Sequence, residues 1–112
     1  MTELFVYITV GTMHDAQTIA ESLVQKRLAA CVNLLPSMES VYRWQGKIER
    51  DAEVVLIAKT TNERFDALAV ETRRLHPYAC PCVVGMPITH GTADYLTWIR
   101  DQTSLTPEDE PA

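Results

Sequence analysis

The chain has 112 residues, 46% of them hydrophobic and 22% charged, against roughly 100 to 200 residues for an ordinary domain. That balance excludes a two-domain protein and excludes disorder as a description of the whole. Ten Lys and Arg against fifteen Asp and Glu give a formal charge of −5, a sign that repels phosphate backbones and anionic membranes unless a basic patch compensates. The sequence holds no such patch, so nucleic acid is not an expected partner.

The first apolar run, residues 4–10, is β-branched and aromatic and is closed by Gly11. It predicts a central strand. The run is too short to cross a bilayer, and it follows neither a basic leader nor a cleavage site. No membrane segment and a cytoplasmic location are therefore expected. Thr12 with Asp15 three residues on forms an acidic variant of the capping box, and Ala16, Ile19, Ala20, Leu23 and Val24 recur at helical spacing. A first helix to about Leu28 follows from that pattern.

Residues 31–35 form a second apolar run broken by Pro36, and residues 41–44 resume it. One bent strand and two strands are both open at this point. Gln45-Gly46 then separates Trp44 from Lys47, ahead of the strongly β run at 54–58. Gly46 supplies the positive φ that a two-residue hairpin turn demands, with Gln a weaker partner for it than Asn or Asp. Asn62 is placed to cap a second helix whose apolar side is Phe65, Leu68, Ala69, Thr72 and Leu75, with His76-Pro77 as its stop. Residues 82–86 read as a last strand, and a short third helix starts at Thr92 with Tyr95, Leu96, Trp98 and Ile99.

Strand, helix, strand, strand, helix, strand is the split βαβ order, an α+β ferredoxin-like sandwich with an extended hairpin and one extra C-terminal helix. The domain is expected over 1–102. From Thr103 onward the sequence is mostly Thr, Ser, Pro and acid, with only Leu105 able to pack, and Glu108, Asp109 and Glu110 carry three of the five net negative charges; 103–112 therefore read as an acidic disordered tail. The hairpin legs, 41–44 and 47–60, outrun the typical strand of about 5 to 6 residues. The tip should overhang the sheet and leave Tyr42, Trp44 and Ile48 wet. Such a ribbon is a poor monomer, and a neighbouring copy would satisfy it, so a homo-oligomer is expected.

The densest cluster of reactive side chains is Leu75-His76-Pro77-Tyr78-Ala79-Cys80-Pro81-Cys82. One imidazole and two thiols in a proline-stiffened loop are a candidate chelate for copper or zinc, with His76, Cys80 and Cys82 as ligands. In extended backbone Cys80 and Cys82 point to one face. The competing reading packs the cysteines as small hydrophobes and leaves His76 to cap the helix. Three cysteines, an odd count, are expected as thiols rather than as a disulfide framework. His14 and His90 are isolated. Glu49, Asp51 and Glu53 alternate along the return leg, a pattern open to an acidic ligand face but more often the solvated face of a strand. No serine stands in a nucleophile-elbow context and no glycine-rich phosphate loop exists, so a binding module is expected rather than an enzyme.

The segments Arg27-Leu28-Ala29-Ala30-Cys31-Val32-Asn33, Ser40-Val41-Tyr42-Arg43-Trp44-Gln45-Gly46-Lys47-Ile48-Glu49, Lys59-Thr60, Leu75-His76-Pro77-Tyr78 leading to Pro81, and Tyr95-Leu96 with Trp98-Ile99 closely resemble the CutA divalent-cation tolerance family, over residues 3 to 100. The resemblance implies a tight homotrimer built through the long hairpin, with an architecture similar to PII signalling proteins. It also implies a role in metal-ion homeostasis through copper or another divalent metal ion. An alternative implied by the PII likeness is a small-molecule sensor or interaction scaffold, in which Trp44, Glu49, Lys59 and Tyr78 line an intersubunit cleft. Animal relatives are associated with membrane-anchored enzymes, so an unidentified protein partner belongs among the expectations. The chain departs from the family at Cys82, where an acidic residue is usual, and at Cys80. Ile8 and Leu75 occupy positions where some metal-binding members carry Cys and His. Exchange of a carboxylate for a thiolate moves metal preference toward copper(I) or zinc.

Overall fold

A computed structural model describes residues 2–104. Its elements, in chain order, are β1 (Glu3–Val10), α1 (Met13–Gln25), β2 (Cys31–Trp44), β3 (Lys47–Thr61), α2 (Phe65–Leu75), β4 (Val83–Pro87) and α3 (Ala93–Thr103). The four strands form one antiparallel sheet in the order β2-β3-β1-β4. This is the α+β arrangement expected from the sequence, with β1 central and the extra helix at the C-terminal end.

Period-two alternation sorts β1 into two faces. Leu4, Val6, Ile8 and Val10 point into the core with Val54, Leu56 and Ala58 of β3, against Ala16, Ile19 and Leu23 of α1 and Leu68 of α2. Gly85 of β4 pairs with Val6, and a Cβ there would stand 3.1 Å from the Phe65 ring, so the missing side chain lets α2 settle on the sheet.

Phe5, Tyr7 and Thr9 point the other way, and their cross-strand partners Met86 and Val84, Lys59, Ile57 and Val55 share that face. Val84 and Met86 are 52% and 49% exposed, and Phe5 and Leu35 are exposed as well. Lys59, bonded through its ammonium to Asn33 Oδ1, sits 5.8 Å from the centre of the Phe5 ring. Helices α1 and α2 cover one face of the sheet; α3 meets the other at its end, through Arg100 on Glu3 and Tyr95 beside Cys31, and much of the rest of that face is open and apolar.

Residues 31–44 form one strand, irregular between Leu35 and Met38, where Pro36 interrupts the ladder and Ser37 has φ 65°. That resolves the alternative left open by the sequence in favour of one bent strand. Beyond Val10, which pairs with Val54, the β2–β3 ribbon continues without β1 as far as the Trp44–Lys47 pair. Gln45 (φ 50°) and Gly46 (φ 80°) make the turn, the left-handed pair that a two-residue hairpin needs. Tyr42, Trp44 and Ile48 on the overhang are exposed, as anticipated.

Three local expectations are corrected. Helix α1 does start on Thr12, whose side chain accepts the Asp15 N–H, but it ends at Gln25 rather than near Leu28. Arg27 turns left-handed (φ 58°), and the Leu28 N–H returns to the Leu23 carbonyl. Asn62 does not cap α2; it exchanges bonds with Thr2 by its side chain (3.0 Å) and backbone (2.9 Å), and Arg64 holds the cap position. Thr103 is not tail: it is buried at the end of α3, its hydroxyl bonded to the Ile99 carbonyl and its own carbonyl to Arg64 Nε. The rest of the acidic tail, from 105 onward, lies outside the described residues.

Helix α3 is fixed to the sheet by Arg100 on the buried Glu3 carboxylate at 3.1 Å. Helices α1 and α2 are joined by Glu71, whose buried carboxylate receives Lys26 at 3.0 Å, Arg74 at 2.7 Å and the Ser22 hydroxyl.

Candidate functional site

The backbone residue before a proline avoids the α region, so α2 must stop ahead of Pro77, and His76 is extended. Its imidazole is 7% exposed. Nε2 lies 2.7 Å from the Thr9 carbonyl, and Nδ1 accepts the Tyr78 backbone N–H at 3.2 Å. With Nδ1 an acceptor, Nε2 carries the proton and donates to Thr9. Both ring nitrogens are thereby engaged in fastening the loop to the end of β1. The Tyr78 ring stacks at a tilt on the imidazole, 4.6 Å between centres, and its hydroxyl donates to Glu53 Oε2 at 2.9 Å.

This fastening builds a cleft of about 720 Å³ between the loop, the open end of β1 and the ribbon. Tyr7 and Thr9 form its floor, Met38, Tyr42 and Trp44 one wall, and Tyr78, Cys80 and Cys82 the other, with Glu53 between. Alternation along the ribbon explains the wall: Met38 pairs with Glu53, Tyr42 with Glu49 and Trp44 with Lys47, all on the side that continues the open face. The Tyr7 hydroxyl donates to Met38 Sδ at 3.4 Å, and the Tyr42 hydroxyl donates to Asp51.

Of the residues singled out in the sequence, the structure brings Cys80, Cys82, Trp44 and Tyr78 to one cleft. His76 stands behind it, committed to Thr9 and Tyr78. Glu49 and Lys59 are not among the lining residues of a single chain; Lys59 lies on the open sheet face beside Phe5 and Asn33. Glu53 is corrected: it is not a solvated strand residue but is 7% exposed and bonded to Tyr78. Sequence reasoning missed Tyr7, Met38, Tyr42 and Glu53 as lining residues. The signal lay in the turn, because fixing Trp44 opposite Lys47 places Met38 opposite Glu53.

The cleft sets phenols and thiols beside the buried Glu53 carboxylate, with the exposed Glu39 also in its lining. Burial, then the bond to Glu53, pushes the Tyr78 phenol up to about 12, and the bond to Asp51 pushes Tyr42 up to about 12. Burial raises the Cys82 thiol as well, with the Glu53 charge second. A raised thiol is the reverse of an activated nucleophile. Alkylation with iodoacetamide near pH 7 is expected to modify the exposed Cys80 before Cys82. Peptide mass spectrometry along the time course checks this, and faster labelling of Cys82 would contradict the account.

A metal needs converging donors. Among the described residues no group of three or more His, Cys, Asp or Glu side chains is placed to hold an ion. His76 offers no free nitrogen, whereas Cys80, Cys82 and the Met38 thioether are soft donors lining one cavity. The thiol pair fits a soft ion such as copper(I) and leaves the rest of the coordination sphere to other donors.

A ferredoxin-like α+β domain with an overlong ribbon, an open apolar sheet face and a cleft at the ribbon's root is the class that the fold and site define. Residues 4–102 match the model of the CutA1 divalent ion tolerance protein family. The chain belongs to that family. It is 46% identical over 101 residues to the divalent-cation tolerance protein CutA of Thermus thermophilus, covering 90% of this chain and 98% of that one. It is 41% identical over 100 residues to the chloroplastic protein CutA of Arabidopsis thaliana, of which it spans only 55%. The crystal structure of CutA1 from Oryza sativa superposes with a TM-score of 0.91 at 39% identity, covering 95% of this chain and 97% of that one. No helix among the described residues is long and apolar enough to cross a membrane.

Proposed function

We propose that the chain acts as a cytoplasmic homotrimer that binds metal ions, copper above all, through the thiols of Cys80 and Cys82, and that it contributes to metal-ion homeostasis without catalysing a reaction. The observation that carries this reading is that both thiols and the Met38 thioether line one cleft. Soft donors of this kind select copper(I), with zinc as the second choice for a thiol pair. Assembly is supported by the open face around Phe5, Val84 and Met86 and by the exposed overhang, which a single chain leaves in water. A non-catalytic role is supported by the raised Cys82 thiol and by the prior engagement of His76. Three unpaired cysteines favour a reducing compartment. The relatives differ in compartment: a CutA of Archaeoglobus fulgidus is described as periplasmic and that of Arabidopsis as chloroplastic.

Anaerobic titration of the reduced protein with copper(I), in competition with a colorimetric chelator, is expected to saturate stoichiometrically. The double variant Cys80→Ser, Cys82→Ser is expected to lose at least about a hundredfold in affinity, as removal of ligands does. His76→Gln is expected to bind as the parent does. Unchanged affinity in the double variant would overturn the metal reading. A second reading takes the cleft as a small-molecule site on the same assembly, favoured by its volume of about 720 Å³ and by the rings of Trp44 and Tyr78 in its walls.

A further inference from the structure

Glu53 and Lys59 lie on one face of the sheet, and among the described residues neither meets an opposite charge. Glu53 is 7% exposed; its Oε2 takes the Tyr78 phenol, and no ion pair among the described residues includes it. Its Oε1 accepts no bond there and keeps an accessible edge on the cleft, since no buried side-chain oxygen is left without a partner. Tyr78, its pKa pushed up to about 12, is neutral at physiological pH and compensates no charge. Lys59 reaches only the Asn33 side-chain carbonyl and the Phe5 ring. Both residues belong to β3, and alternation puts them on the side of Val55 and Ile57. Six positions of extended strand, about 20 Å, separate them. They cannot meet within one chain.

From these two unmet charges we infer that copies of the chain join by an ion pair between Lys59 of one and Glu53 of the next, so that a neighbour's lysine completes each cleft. The inference rests on the homotrimer proposed above and names a contact that sets how its copies meet. Both residues stand on the open apolar face, where Phe5, Val84 and Met86 are left in water. Covering that face strips water from Lys59, and a desolvated cation costs much unless an anion meets it. The carboxylates on this side narrow the choice. Glu3 is held by Arg100 and Asp51 is bonded to Tyr42 on the overhang, whereas Glu53 is buried without a cation. The cations narrow it as well: Arg100 is taken and Lys47 is exposed beside the ribbon turn, which leaves Lys59 among apolar side chains. No Lys, Arg or His of its own chain lines the cleft that Glu53 faces. In a ring of three, each copy gives its lysine to one neighbour and receives one from the other, a heterologous contact that closes on itself.

The test is a double-substitution cycle on assembly of the full chain, with the association constant read by sedimentation equilibrium. Lys59→Met and Glu53→Gln, the second keeping an acceptor for Tyr78, are each expected to weaken association at least about tenfold, because each leaves the other charge unpaired under the contact. The double variant, which removes both charges, is expected to associate more tightly than either single one. Arg73→Gln, at an exposed position of α2 on the opposite side of the sheet, makes the same change in net charge as Lys59→Met and is expected to assemble as the parent does. If circular dichroism shows that Glu53→Gln fails to fold, Lys59→Arg decides: it keeps the cation and is expected to associate at least about tenfold more tightly than Lys59→Met. Equal association of those two variants, losses that simply add in the cycle, single variants that assemble as the parent does, or an equal loss in Arg73→Gln each overturn the ion pair while sparing the homotrimer. A parent that stays monomeric overturns both.

Discussion

Met86→Glu is expected to convert the proposed homotrimer into a folded monomer, with the mass by light scattering falling from about three times 12.6 kDa to 12.6 kDa. Met86 is 49% exposed in the single chain, so a glutamate there stays in water and changes subunit stability by only about 0.5 kcal/mol or less. It stands opposite Phe5 in the middle of the open face, next to Val84 on the same strand. If that face meets another copy, each copy brings an unpaired carboxylate into an apolar contact, at several kcal/mol apiece. At about 1.4 kcal/mol per tenfold change, the association constant falls by two orders of magnitude or more. The circular dichroism spectrum should be retained. A variant that keeps the parent mass would show that copies do not meet through this face, and assembly would have to be sought on the ribbon overhang alone.

Glu71→Gln is expected to have the largest effect on subunit stability among the surface-reaching ionic groups. The carboxylate is buried at the α1–α2 junction and gathers Arg74, Ser22 and Lys26, while the two cations extend into water. Bonds from Arg74 and Ser22 hold its pKa far below the ordinary carboxylate range. Because the folded value lies below the unfolded one of about 4.3, the stabilisation is complete above about pH 5.5 and is lost progressively as pH falls through 4 toward the folded value. At pH 7 the substitution should cost about 2 kcal/mol, the loss of charge-assisted bonds with both cations left free to hydrate. Tm should drop by of the order of 10 °C. Melting at pH 7 and pH 3, at one protein concentration so that assembly contributes equally, should show the difference between parent and variant narrowing in acid. A pH-independent difference would mean that the carboxylate acts through packing and not through its charge.

Legibility of the fold follows burial. Alternation in β1 and the three-and-four spacing in α1 and α2 record which side of each element meets the core, and both hydrophobic patterns survive in the sequence because the core permits little else. The turn at Gln45-Gly46 was legible for a different reason, since glycine marks a backbone that other residues adopt reluctantly. The end of α1 was not legible. Arg27 takes the left-handed conformation that glycine or asparagine usually marks. Asn62 misled because a side chain that caps helices can equally hold a chain end, and only the arrival of Thr2 alongside decided between them. Thr103 misled in the same way. Its composition is that of a tail, yet the bond to Arg64 makes it the end of a helix.

The candidate site divides likewise. His76, Cys80, Cys82, Trp44 and Tyr78 were visible as chemistry-bearing types near prolines or a turn. Glu53, Tyr7 and Met38 were not, because each lies in a strand where its neighbours in sequence say nothing of its neighbours in space.

The order of elements, the alternating faces and a ribbon too long for its sheet are all legible along the chain, because each follows from local periodicity and turn chemistry. Packing alone makes His76 a fastener whose nitrogens are both occupied, buries Glu53, and gathers the thiols into a cleft with four aromatic rings. The reason is physical: periodicity is fixed by bonds between near neighbours, whereas burial and hydrogen-bond partnership arise where residues tens of positions apart are pressed together. Tyr78 and Glu53, 25 positions apart, meet at 2.9 Å, and no local rule contains that distance.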